Sequence, residues 1–329
     1  MSFLKNIVIV GSGALGTSLG NVLARKKTYQ VVLLSVEKEV VESINADHIN
    51  HKYFPRILLE TSLSATTDEA VLETADIVFM AIPSAFTVDY VLKRTSRINP
   101  KAIIVNMAKG FADDKRTVGE RLDKVIPQIV CSFKGPTFAR ELINNQPTAF
   151  TVACTQETVF SVFNELFENT TVYLDYSTDL KGVELLSILK NIYAIVVGIV
   201  DAQFDSPNLR FMVLTNCFKE MRELLSQFGG NESSMFKYCG FGDFNLTALN
   251  DLSRNRTLGL LIGKGFFDEH ISEKVVLEGK IATHVFCETI SQTKSLSNYH
   301  IISELYKVFT DNYDMSKFVN NILKLQDKN

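Results

Sequence analysis

From Ile7 to Leu174 the chain alternates short runs of aliphatic residues with stretches in which apolar positions recur every three or four residues. The runs Ile7–Val10, Val31–Leu34, Ile77–Ile82, Ala102–Val105, Ile129–Phe133, Ala149–Ala153 and Val172–Leu174 have the length and β-branched content of strands. Between them, Leu15–Arg25, Lys38–Ala46, Phe86–Arg94 and Thr117–Val125 show helical spacing. Strand–helix alternation of this kind predicts a parallel sheet with helices on both faces. After Thr178 the strand signal stops. Leu180–Val200, Leu209–Phe228, Arg256–Lys264 and His300–Leu325 are the predicted helices there, and the turn-rich segment Gly229–Asn255 separates the second from the third. The pattern therefore predicts an α/β domain over 1–178 followed by an all-α domain over 179–329.

One helix breaks its own pattern. Residues 185–200 are apolar around nearly the whole circumference, and Lys190 is their only charge. Burying an ammonium is costly without a partner, and the same desolvation is what tunes a lysine for proton transfer near neutral pH. The competing reading is a lysine whose stem snorkels to the domain surface. The 185–200 run is shorter than a membrane-spanning helix needs and carries Lys190 and Asn191 near its middle, so no membrane span is expected.

A second motif sits at the other end. Gly11-Ser12-Gly13-Ala14-Leu15-Gly16 follows the first strand and opens the first helix. In that context a Gly-x-Gly-x-x-Gly is a dinucleotide fingerprint. Gly11 permits the tight turn, Gly13 lets the backbone approach a pyrophosphate, and Gly16 lets helix and strand pack closely. The helix N-terminus offers free N–H groups to the anion. After the second strand, Glu37 suits an adenosine ribose and NAD, whereas Ser35 and Lys38 suit the 2′-phosphate of NADP, so both cofactors stay open.

Composition narrows the field. With 329 residues, 46% hydrophobic and 22% charged, the chain has the profile of a globular protein of two domains. A net charge of −3 gives no reason to expect nucleic acid as a partner. Five scattered cysteines fit reduced thiols in the cytoplasm, and the N-terminus lacks a signal-peptide layout. His48 and His51 form a His-x-x-His without further ligands nearby, so no metal site is expected. A homodimer is expected on frequency alone.

Several segments, in order and spacing, resemble the NAD(P)-dependent glycerol-3-phosphate dehydrogenases of the bacterial type. They are the 11–16 turn, Ile82-Pro83-Ser84, Ala108-Lys109-Gly110, Gly135-Pro136-Thr137-Phe138-Ala139-Arg140-Glu141, Lys190-Asn191, Gly240-Phe241-Gly242-Asp243, Ser253-Arg254-Asn255-Arg256 and Glu278-Gly279. The resemblance implies an N-terminal Rossmann-type dinucleotide-binding domain, an all-α substrate domain, NAD or NADP as cofactor, and a small phosphorylated substrate. It implies that Lys190 exchanges the proton at the substrate oxygen and that Asp243 hydrogen-bonds the substrate and positions Lys190. Lys109, Gly135, Thr137 and Asn191 would line the substrate. Ser253, Arg254 and Asn255 would hold its phosphate, an arginine fork being well matched to that group. Gly11, Ser12, Gly13, Ala14, Leu15 and Gly16, with Lys109, Ala139, Arg254, Val276 and Glu278, would touch the cofactor.

The chain departs from the family pattern at Ala14 and Leu15, at Lys134 before Gly135, at Leu186-Ser187 before the lysine, at 203–207, and at Asn216-Cys217. Lys134 would be either an extra cation facing an anionic substrate or a surface residue. Two other readings remain: a related dehydrogenase acting on another small anionic hydroxy compound, and a dinucleotide-binding protein without turnover.

Overall fold

The computed structural model describes residues 6–266, 278–292 and 295–323. The chain divides into two compact units, Met1–Glu184 and Leu185–Asn329. The division falls a few residues beyond the boundary that the pattern predicts at 178. The reason is Glu184, whose side chain accepts hydrogen bonds from Asn106 and from the Gly119 amide, so the first turn of the next helix belongs to the first unit.

The first unit carries an eight-stranded sheet in the order β3-β2-β1-β4-β5-β6-β7-β8. The strands are β1 (Asn6–Val10), β2 (Gln30–Leu34), β3 (Leu63–Thr66), β4 (Ile77–Met80), β5 (Ile103–Asn106), β6 (Ile129–Lys134), β7 (Thr148–Cys154) and β8 (Val172–Ser177). β4 and β5 are buried along their whole length, as strands covered on both faces must be. Around them run α1 (Ala14–Ala24), α2 (Lys38–Asp47), α3 (Ser84–Arg94), α4 (Val118–Leu122), α5 (Ala139–Ile143) and α6 (Phe160–Phe167). Phe133 of β6 anchors the core, stacking on Phe150 at 4.2 Å and on Phe167 at 5.3 Å between ring centroids.

Two features of the sheet differ from the expectation. β3 reads Leu-Ser-Ala-Thr, too short and too polar to stand out, and it is an edge strand. β6 and β7 pair antiparallel, with Cys131 opposite Cys154. A parallel return needs a crossover helix long enough to run back along the sheet, and the only helix between these strands is the five-residue α5. All five cysteines are buried, and none forms a disulfide.

The described part of the second unit is helical. α7 (Leu180–Gln203) is followed by α8 (Pro207–Gln227), α9 (Asp243–Leu249), α10 (Arg254–Gly263), α11 (Glu278–Ser291), α12 (His300–Thr310) and α13 (Phe318–Leu323). α7 has 24 residues and a mean hydropathy of 1.9 over its most apolar window, so it is long and apolar enough to cross a membrane, contrary to the shorter run expected. That window is fully buried within the protein instead. α8 starts two residues earlier than its apolar period, because Ser206 accepts a hydrogen bond from the Leu209 amide as N-cap and Pro207 occupies the first turn. The single helix expected over 300–325 is two helices. Asp314 accepts from the Ser316 amide and caps a short 3-10 turn, Met315–Lys317, which offers the backbone an alternative to helix.

Candidate functional site

The glycine turn is shaped by three different requirements. Gly11 has φ +107°, a conformation that side chains disfavour. A Cβ on Gly16 would lie 2.0 Å from the Gly11 carbonyl oxygen, so helix and turn can approach only without one. Around Gly13 nothing lies within 4 Å of where a Cβ would stand. Gly13 is the N-cap of α1 and provides no side-chain cap, so the first N–H groups of the helix are available to an anion. Ser12, Ala14 and Leu15 complete the turn. Its conformation is fixed from outside: Asn50, fully buried, donates to the Ser12 carbonyl at 3.0 Å and to the Thr17 hydroxyl at 2.9 Å, and Thr17 donates to the same carbonyl. Asn50 lies between His48, which caps α2 in the left-handed region, and His51, which pairs with Asp47. No metal-ligating group forms there or elsewhere among the described residues.

Beside the turn lies a cleft of about 420 Å³, lined by Gly11, Ser12, Gly13, Ser35, Glu37 and, opposite, Ile82, Pro83 and Phe86. At its β2 edge Lys52 and Tyr53 both donate to Glu37, and the Lys52 ammonium holds the Glu37 carboxyl below its ordinary value. The Ser35 hydroxyl shares a hydrogen bond with Ser12 and accepts from the Glu37 amide. Open space at Gly13, free helical N–H groups and a carboxylate at the strand end suit a dinucleotide.

The loops after β5 and β6 meet. Asn106 turns the first by accepting from the Ala108 amide at 3.0 Å, and Lys109 donates to the Gly135 carbonyl at 3.1 Å. Gly135 is buried where a Cβ would stand 2.3 Å from the Ala149 carbonyl oxygen, so its glycine is demanded by contact with β7. Thr137 shares a hydrogen bond with Thr148 at 2.9 Å. Ala139 opens α5, and its carbonyl accepts from Ser18 of α1 at 2.8 Å, which ties it to the glycine-turn helix. Lys134 is neither a surface residue nor an open cation: it is fully buried and donates to the Asn106 carbonyl at 2.9 Å and the Ala108 carbonyl at 2.5 Å.

In the second unit, Lys190 does not snorkel. It is 3% exposed, and its Nζ donates to Asp243 Oδ1 at 2.5 Å and Thr247 Oγ1 at 3.0 Å. Asp243 is the first residue of α9 and Thr247 stands one turn later, so both lie on one helix face. Thr247 escaped the sequence reading, although its spacing of four from Asp243 was the signal that could have found it.

Asn191 donates to Glu278 at 3.2 Å, and Asn255 accepts from the Gly279 amide at 3.1 Å, so both hold the start of α11. Ser253 caps α10, accepting from the Arg256 amide. Arg256 is engaged by Asp201, Asp251 and the Ala248 carbonyl, whereas Arg254 is exposed on the first turn of α10. Ser187 is buried on α7, and the Asn216 amide nitrogen is buried without a hydrogen-bond partner among the described residues. Val276 lies outside the described residues.

A mainly parallel sheet with a glycine turn at its first strand, joined to a helical unit holding a buried amine, defines the class of dinucleotide-dependent dehydrogenases. The chain belongs to the NAD-dependent glycerol-3-phosphate dehydrogenase family, matching the family's N-terminal model over residues 6–160 and its C-terminal model over 179–320. It is 37% identical to a glycerol-3-phosphate dehydrogenase [NAD(P)+] of Methanothermobacter thermautotrophicus over 78% of this chain and 80% of that one. It is 30% identical to the protein of the same name from Leptospira biflexa, over 96% and 97% of the two chains. A crystal structure of glycerol-3-phosphate dehydrogenase from Coxiella burnetii superposes with a TM-score of 0.87 at 27% identity, covering 98% of this chain and all of that one.

Proposed function

We propose that this protein reduces dihydroxyacetone phosphate to sn-glycerol 3-phosphate with NADH or NADPH. The observation that carries the reading is the buried Lys190 amine, held by Asp243 and Thr247. The dinucleotide, when bound, supplies the hydride. Reduction of the ketone then leaves an oxygen that needs a proton and a positive neighbour. Lys190 Nζ is the acid that gives the proton, and Asp243 keeps the ammonium oriented. Lys109, Gly135, Thr137 and Asn191 line the substrate, while Arg254, with Ser253 and Asn255 beside it, takes the phosphate. The 11–16 turn takes the pyrophosphate, and Lys109, Ala139, Arg254, Val276 and Glu278 complete the cofactor contacts.

In this reading the protein works in the cytoplasm and supplies glycerophospholipid synthesis. It acts as a homodimer, for which the exposed Phe211 and Met212 of α8 offer apolar surface and light scattering is the check. The assay follows NAD(P)H absorbance with dihydroxyacetone phosphate. Lys190→Ala should lower kcat by roughly 10²–10⁴-fold, the usual worth of a positioned acid. Absence of wild-type turnover, or an unimpaired variant, rejects the proposal. A panel of carboxylated hydroxy compounds separates it from dehydrogenases of other small anions.

A further inference from the structure

Lys134 departs from the family pattern, and the reaction written above makes no use of it. It ends β6, is fully buried, and reaches across to the end of β5, the neighbouring strand in register. There its ammonium donates to two carbonyls, those of Asn106 and Ala108, in the turn that leads directly to Lys109. Lys109 reaches back in the opposite sense and donates to the carbonyl of Gly135, the residue after Lys134. The two loops are thus tied by lysines running both ways. The charge is balanced by Glu184, whose Oε1 lies 4.0 Å from the Lys134 nitrogen. That carboxylate also accepts from Asn106 Nδ2, the Ser132 hydroxyl and, at 2.7 Å, the Gly119 amide.

An apolar side chain of similar volume would fill the site without burying a charge, so packing alone does not account for a lysine there. An ammonium can do something that an apolar group cannot, which is to fasten two carbonyls of an irregular turn. We propose that Lys134 is a positioning residue for Lys109, holding the 106–110 turn so that the Lys109 amine stays where the substrate needs it. The inference rests on the role given to Lys109 under the proposed function. A displacement of about 1 Å in a substrate-positioning group is enough to cost up to 10²-fold in rate.

The test uses the full-length protein with Lys134→Met, Lys109→Met, their combination, and Lys134→Met/Glu184→Gln, which removes both charges and guards against misfolding of the single variant. Amide hydrogen exchange over 107–110 should accelerate by about ten-fold or more in both variants that lack only Lys134 or the pair, while the 11–16 turn keeps its protection. In turnover, Lys134→Met should lower kcat/KM by about ten-fold in an otherwise wild-type chain and by almost nothing when Lys109 is already Met. A structural role without positioning would leave the two kinetic effects multiplicative and would loosen 11–16 as well, and either result overturns the proposal. So does unchanged exchange at 107–110. If the wild type fails to turn over dihydroxyacetone phosphate, the functional reading falls while the exchange data still decide whether Lys134 holds the turn.

Discussion

Among the described residues the chain buries two lysines, one in each unit, and secures them in different ways. Lys134 binds backbone carbonyls, with its carboxylate at 4.0 Å, and sits at the end of a strand in a sheet. Lys190 binds two side chains of one helix, with its carboxylate at 2.5 Å. Carbonyls of a fixed turn cannot leave their partner without the loop moving. Side-chain partners can reorient as a proton is exchanged. The first arrangement therefore suits holding a loop, and the second suits chemistry at the amine.

The largest expected effect comes from removing each carboxylate in turn. Glu184→Ala leaves Lys134 and three donors uncompensated and should cost about 3–5 kcal/mol of stability by denaturant unfolding. Asp243→Asn, which keeps an acceptor for Lys190 but not the opposite charge, should act more on turnover, with kcat reduced by roughly 10²-fold and a smaller loss of stability than Glu184→Ala. If both substitutions act mainly on stability, the distinction between the two lysines is lost.

A further buried carboxyl sharpens the contrast. Glu220 of α8 accepts from the Ile301 and Ile302 amides at the start of α12 and from the Tyr193 hydroxyl of α7. Among the described residues no cation accompanies these donors in its contacts, and burial pushes its carboxyl from 4.5 up to about 7 despite them. A carboxyl with a raised native value binds its proton more tightly folded than unfolded. Stability should therefore fall as pH rises from about 4.5 to about 7, by on the order of 3 kcal/mol, and level off above. Glu220→Gln should flatten that slope in unfolding curves taken across the range. An unaltered slope would mean that other groups govern it. The smallest effect is expected at Ser253, where loss of the helix cap in Ser253→Ala should cost about 1 kcal/mol of stability and raise KM only a few-fold, because Arg254 carries most of the phosphate contact. A large rise in KM would show instead that the hydroxyl reaches the substrate.

Legibility followed the range of the interactions. The glycine turn could be read because its demands are local: a positive φ at Gly11, a helix contact at Gly16 and open space at Gly13 all arise within six residues. Lys190 stood out because a single charge in an apolar helix is visible in one window. Asn50, which fixes the turn through bonds 33 and 38 residues away, carried no local mark. β3 and the short α5 were missed for a related reason, since they are brief elements stabilised by neighbours rather than by their own periodicity.

The amino-acid order by itself determined the two-part plan, the glycine turn at the start of α1 and the oddity of Lys190, because each depends on spacing along a few turns of chain. Only the tertiary structure decided what each buried charge meets. It brought Lys190 to Asp243 across 53 residues and Glu184 to Asn106 across 78, it ran β6 and β7 antiparallel, and it turned Lys134 inward. Ion pairs and hydrogen bonds act over a few ångströms, and which groups come that close is set by packing rather than by position in the chain.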